Sequence, residues 1–192
     1  EDIGLMRALP GMTVIVPADG PETKQAVRAA TRHQGPVYIR LGRSGVPVLF
    51  DQDYQFEIGQ IVTLRPGKDV AIFACGIMVA VALAAAELLA GKGIRAEVLN
   101  VSTIKPLNVQ QVATAAAQTG AVVTCEEHNI IGGLGSAVAE VLGEHCPVPL
   151  ERVGVRDVFG QSGTPAALLE HYGLTAEKVA AAAERVVARK QA

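Results

Sequence analysis

From residue 69 onward, short apolar runs alternate with longer stretches of helical period, and this alternation limits the possible folds more than any other feature. Residues 70–75 (VAIFAC) form a wholly apolar run stopped by Gly76, the pattern of a strand buried on both faces. Residues 77–90 are rich in Ala and Leu and end at Gly91 and Gly93, which predicts a helix. Residues 94–101 alternate as a strand does, 108–118 read as a helix, and 121–125 as another strand. A helix opened by glycines follows over 132–142, then a strand over 148–153 and a short helix over 168–172. Residues 175–189 close the chain as a helix with Thr175 as N-cap and an Ala/Val face. The expectation is an α/β fold built on a mostly parallel, doubly wound sheet.

The opening residues do not complete a unit of that kind. Residues 3–9 read as a short helix and 12–16 as a strand. A helix over 21–32 follows Asp19 and Gly20, with Pro21 in its first turn. Residues 37–41 read as a strand with Val37, Ile39 and Leu41 on one face and Tyr38 and Arg40 on the other. Two strands and one crossover helix do not cover a parallel sheet, and a two-stranded sheet is marginal. These residues therefore either join the later sheet or end a domain that begins upstream. The start at Glu1, inside a helical pattern, favours the second reading. Residues 44–68, with Gly, Pro and acidic residues around one weak strand at 60–64, read as a linker.

Composition removes several classes of function. With 49% hydrophobic and 19% charged residues among 192, the chain buries enough apolar surface to escape disorder. A net charge of -2 and 4% aromatics argue against binding nucleic acid by bulk charge or by base stacking. The apolar runs fall short of the roughly 20 residues that span a bilayer, so no membrane partner is expected. No export signal is evident, which makes the cytoplasm the expected location. Three scattered cysteines argue against a disulfide framework.

Few motifs carry chemistry. Gly132-Gly133-Leu134-Gly135-Ser136 follows a strand and opens a helix, but Val138 holds the third glycine position of a dinucleotide fingerprint. Tight turning explains these glycines at least as well. Gly160-Gln161-Ser162-Gly163 and Gly42-Arg43-Ser44-Gly45 lack the spacing of a nucleophile elbow and read as turns. Glu126-Glu127-His128-Asn129 is placed just past a strand's carboxyl end, where open α/β sheets bind ligands. Its competing readings are a proton-transfer pair, a solvated loop, or a face toward a partner subunit. Cys75 and Cys125 end apolar strands without zinc spacing and read as small hydrophobes. His33, His145 and His171 lie near helix ends. Arg43 follows a strand by two positions and should project from its carboxyl edge, where a guanidinium grips phosphate or carboxylate. Arg40, within the strand, is expected to pair with an acid.

Several stretches taken in order resemble the C-terminal part of transketolase. They are residues 2–10, 12–19 (MTVIVPAD), 35–43 (GPVYIRLGR), 69–76 (DVAIFACG), 159–163 (FGQSG) and 172–175 (YGLT). The resemblance implies that residues 1–45 end a thiamine-diphosphate pyrimidine-binding domain, that 46–68 are a linker, and that 69–192 form the family's C-terminal domain. It implies two-carbon ketol transfer between sugar phosphates, with thiamine diphosphate and magnesium held between two chains, as homodimer or split-subunit heterotetramer. No stretch matches the diphosphate and metal motif or the catalytic glutamate segment, so the chain alone is expected to be inactive. Arg43 matches the family's sugar-phosphate arginine and is the one substrate-binding residue carried over. Glu126-Glu127-His128 and the Gly-Gly-x-Gly-Ser turn look more like deoxyxylulose-phosphate synthases and split transketolases. Such a synthase, the β chain of a 2-oxo-acid dehydrogenase, and a non-catalytic assembly or effector-binding module are the alternatives.

Overall fold

The computed structural model describes residues 1–190. Its architecture is organised around β4 (Val70–Ala74), whose five residues are all buried. The strand lies at the centre of a five-stranded sheet with β3 (Val62–Arg65), β5 (Ala96–Asn100), β7 (Val122–Asn129) and β8 (Leu150–Val155), in the order β3-β5-β4-β7-β8. The contacts of β4 with β5 and β7, and of β7 with β8, are parallel; only the edge strand β3 runs antiparallel. Alternate residues of β4 feed opposite layers, as the period of a strand requires. Val70, Ile72 and Ala74 pack with α3 (Met78–Ala90) and α7 (Ala176–Lys190). Ala71 and Phe73 pack with α4 (Val109–Thr119) and α5 (Leu134–His145). The doubly wound sheet expected from the alternating sequence is therefore present.

The opening residues do not join that sheet. Instead β1 (Thr13–Ile15) pairs in parallel with β2 (Val37–Ile39), and a third strand, β6 (Thr103–Lys105), pairs antiparallel with β1. The third strand comes from the later half of the chain, and its three residues give no periodic signal in the sequence. It gives the small sheet the width that two strands lack. The helix α1 (Asp2–Ala8), β1 and the residue after it send Ile3, Val14 and Val16 into the same apolar layer as Phe73 and Leu134. The helix α2 (Gly20–Ala30) starts where expected, with the Asp19 carboxylate accepting the Glu22 amide. Within residues 44–68, Phe50 is buried and stacks on Tyr54, and β3 forms the sheet edge. Helix α6 (Pro165–His171), capped by Thr164, precedes α7.

Candidate active-site cleft

The carboxyl ends of β2, β4, β7 and β8 border one cleft of about 400 Å³. Arg40, Arg43, Ser44, Glu127 and Asn129 supply its polar side; Ile77, Val155, Leu168 and Tyr172 contribute apolar wall. Open α/β sheets place ligands at this end because loops there diverge and leave room. The structure thus brings together two features that are far apart in sequence, the arginine turn and the Glu-Glu-His segment.

The two arginines behave differently. Arg40 leaves β2 with its amide donating to the Ile15 carbonyl at 2.8 Å. Its guanidinium donates to Asp2 Oδ2 at 3.0 Å and to Glu127 Oε2 at 2.9 Å, so two carboxylates neutralise it. Tyr38 Oη also donates to Asp2 Oδ2, at 2.8 Å. Burial works against the Asp2 carboxylate, but Tyr38 and Arg40 outweigh it and hold its pKa below the ordinary value. Arg43, three residues on, is exposed and makes no hydrogen bond or ion pair among the described residues. Among the described residues it is the one side-chain cation lining this cleft without a partner.

The Glu126–Asn129 segment is neither a solvated loop nor past the strand: it forms the last turn-free residues of β7. Each residue joins a different part of the chain. The Glu126 carboxylate accepts the Leu134 amide at 2.7 Å and the Gly135 amide at 2.8 Å, satisfying two open donors at the start of α5. Burial pushes its pKa up to about 7, against the pull of those amides and of Arg152 and Arg7. Glu127 holds Arg40. His128 has its Nδ1 2.6 Å from the Asn129 carbonyl, while its Nε2 accepts the Ile3 amide of α1 at 3.1 Å. These partners assign the ring proton to Nδ1, and burial pushes the pKa of the imidazole down, so it is neutral near pH 7. Asn129 accepts the Ile131 amide and donates to Asp157.

The glycine-rich turn is occupied by the protein's own groups. Glu126 fills the anion position at the start of α5, and Arg7 donates to the Gly132 carbonyl at 2.6 Å and to Glu140 at 2.8 Å. A nucleotide phosphate would have to displace a buried carboxylate there. Cys75 and Cys125 are buried, and burial pushes both thiols above their ordinary pKa, which leaves them inert as nucleophiles. His33 faces the Thr13 hydroxyl at 3.1 Å, while His145 and His171 occupy the last turns of α5 and α6. Among the described residues no group of three or more His, Cys, Asp or Glu side chains is placed to hold a metal ion. No helix among them is long and apolar enough to cross a membrane.

Residues 59–179 match the family model described as "Transketolase, C-terminal domain", and residues 1–48 match "Transketolase, pyrimidine binding domain". The chain belongs to the transketolase family. It is 53% identical over 190 residues to the 6-deoxy-6-sulfo-D-fructose transketolase subunit SqwH of Clostridium sp. (strain MSTE9), covering 99% of this chain and 59% of that protein. It is 40% identical over 190 residues to the 1-deoxy-D-xylulose-5-phosphate synthase of Heliobacterium modesticaldum, covering 96% of this chain and 29% of that protein. A solved structure of a split-gene transketolase, described as an inactive β4 tetramer, superposes with a TM-score of 0.97 at 55% identity. That match covers 99% of this chain and 62% of the other. The chain thus spans less than two thirds of the length of these transketolase relatives. The residues that sequence reasoning missed are Asp2, which accepts from Arg40, Tyr38, which donates to Asp2, and Asp19, whose carboxylate accepts the Leu49 and Phe50 amides. The one available signal was the placement of Tyr38 and Arg40 on a shared strand face.

Proposed function

We propose that this chain supplies the substrate-phosphate arginine of a transketolase that transfers a two-carbon ketol unit between sugar phosphates. The observation that carries the reading is the exposed, unpartnered Arg43 on a cleft whose other arginine is already neutralised by two carboxylates. A guanidinium presents a planar fork of donors that matches phosphate, and its rigid shape makes the contact directional. Residues 1–48 and 59–179 both match transketolase models, which supports thiamine diphosphate as the cofactor of the assembled enzyme. No stretch of the sequence matches the family's diphosphate and metal motif, so we assign the diphosphate and magnesium contacts to a partner chain or to further polypeptide. No step of cofactor chemistry is assigned to these residues. A second chain completes the site in this reading, whether another copy or a separate subunit, and the assembly works in the cytoplasm. The solved relative described as an inactive β4 tetramer is consistent with this division of labour.

In the assembled enzyme, Arg43→Ala should raise KM for ribose phosphate about 10- to 100-fold, the worth of one charge-assisted contact. The KM for unphosphorylated ribose should stay unchanged. An equal change for both acceptors, or none, would overturn the reading and favour the non-catalytic module. Calorimetric titration of the 192-residue chain with thiamine diphosphate should give no tight binding; saturable heat would place the cofactor site on this chain. Likeness to the Heliobacterium synthase keeps a deoxyxylulose-phosphate-forming activity as the second reading. Product analysis of the intact complex with pyruvate or a ketose phosphate as donor separates the two.

A further inference from the structure

We propose that residues 41–48 form a strap that holds Arg43 at the cleft, fixed at its leading end by Arg40 and at its trailing end by Asp19. Asp19 and Glu127 are then positioning residues for the anion contact, an inference that rests on the reading of Arg43 given above.

The strap has little of its own to hold it. Residues 41–48 adopt no helix or strand, and all but Val46 are exposed. Its two ends, by contrast, are tied by carboxylates. At the leading end, Glu127 and Asp2 grip the Arg40 guanidinium, and the Arg40 amide still belongs to the ladder beside β1. At the trailing end, Asp19 Oδ2 accepts the Leu49 amide at 2.7 Å and the Phe50 amide at 2.8 Å. Asp19 is itself only 2% exposed, and Phe50 is buried against the Tyr54 ring at a centroid separation of 4.1 Å.

The topology explains why these anchors lie near one another. Strands β1 and β2 are parallel neighbours, so the residues that follow them emerge at the same edge. Asp19 follows β1 and Arg40 follows β2; the chain leaves the second and returns to the first. Eight residues fixed at both ends sample far fewer positions than the same segment fixed at one. A pre-organised guanidinium binds its anion with less ordering cost than one on a free loop. The same Asp19 caps α2 through Oδ1, which accepts the Glu22 amide at 2.8 Å. One carboxylate thus serves two structures with its two oxygens.

That division makes a selective test possible. Asn caps helices as well as Asp does. Asp19→Asn can therefore keep the cap while presenting an NH₂ group to the two amides of the strap. In the assembled enzyme, Asp19→Asn should raise KM for ribose phosphate about 3- to 10-fold, leaving kcat and the KM for ribose unchanged. It should add nothing in an Arg43→Ala background, and hydrogen exchange over residues 41–50 should accelerate. Glu127→Gln, which loosens the leading end at a half-exposed position, should likewise accelerate exchange over residues 41–50 if Asp19→Asn does not fold; it is read by exchange because it also frees charge on Arg40. A full additional rise on top of Arg43→Ala, or unchanged exchange over 41–50, overturns the strap. If exchange accelerates but Arg43→Ala leaves KM untouched, the strap stands as structure while its positioning role and the assignment of Arg43 both fall.

Discussion

Replacing Gly133 by alanine should destabilise the chain by about 3–5 kcal/mol, the cost of leaving two buried amides without their acceptor. Gly133 has φ of -79° and ψ of -152°, which any residue adopts, so backbone strain is not the cause. Space is the cause. A Cβ at this position would stand 1.9 Å from Glu126 Oε2 and 2.7 Å from His128 Nδ1, both on buried side chains. Glu126 would have to withdraw, and the Leu134 and Gly135 amides would lose their acceptor inside the protein. Urea unfolding should show the loss, and thermal unfolding a fall in Tm of about 10 °C for a chain of this size. The cause is separable from general damage by a double-mutant cycle with Glu126→Ala. Once the carboxylate is gone, adding Gly133→Ala should cost only the smaller displacement of His128 into the space it leaves, well under the single-mutant loss. Fully additive losses would mean that the His128 contact, not Glu126, sets the cost of a side chain here.

The second large effect is one of pH. Burial raises the Glu126 carboxyl from an ordinary 4.5 to about 7, so the folded chain holds this proton more tightly than the unfolded chain does. Its contribution to stability is complete below pH 4.5 and disappears as pH rises through 7, a loss of about 3 kcal/mol. His128 works in the opposite sense. Burial lowers its pKa, so it favours folding above the ordinary 6.5 and withdraws that support as pH falls. The clean observable is therefore a difference: wild type minus Glu126→Gln, followed by urea unfolding from pH 4 to pH 8. That difference should decline by about 3 kcal/mol across the range. A level difference would mean that the two amides of α5 keep Glu126 ionised throughout.

Much of the architecture was open to inspection in the sequence. The apolar run 70–75, the Ala-rich stretch 77–90 and the capped stretch 175–189 each announce themselves because one element's burial is written in consecutive residues. Strand β6 does not, since three residues carry no period and its pairing with β1 spans about ninety positions. Residues 126–129 were opaque for a related reason. Four polar residues in a row look like a loop, whereas here they extend β7 and are covered by α1, β2 and α5. Arg43 was visible as a projecting cation, because a strand's end dictates where the next residues go. Which acids would neutralise Arg40, and so leave Arg43 as the open one, was not.

The amino-acid order by itself determined the layers of the larger sheet and the elements that build them, since local periodicity reports which side of an element avoids water. Only the tertiary structure decided which polar groups meet. Asp2, Asp19, Glu127 and His128 find partners between roughly thirty and one hundred and twenty-five positions away, and no local pattern encodes such distances. Desolvation, which gives those pairings their strength, exists only once the distant segments have closed over them.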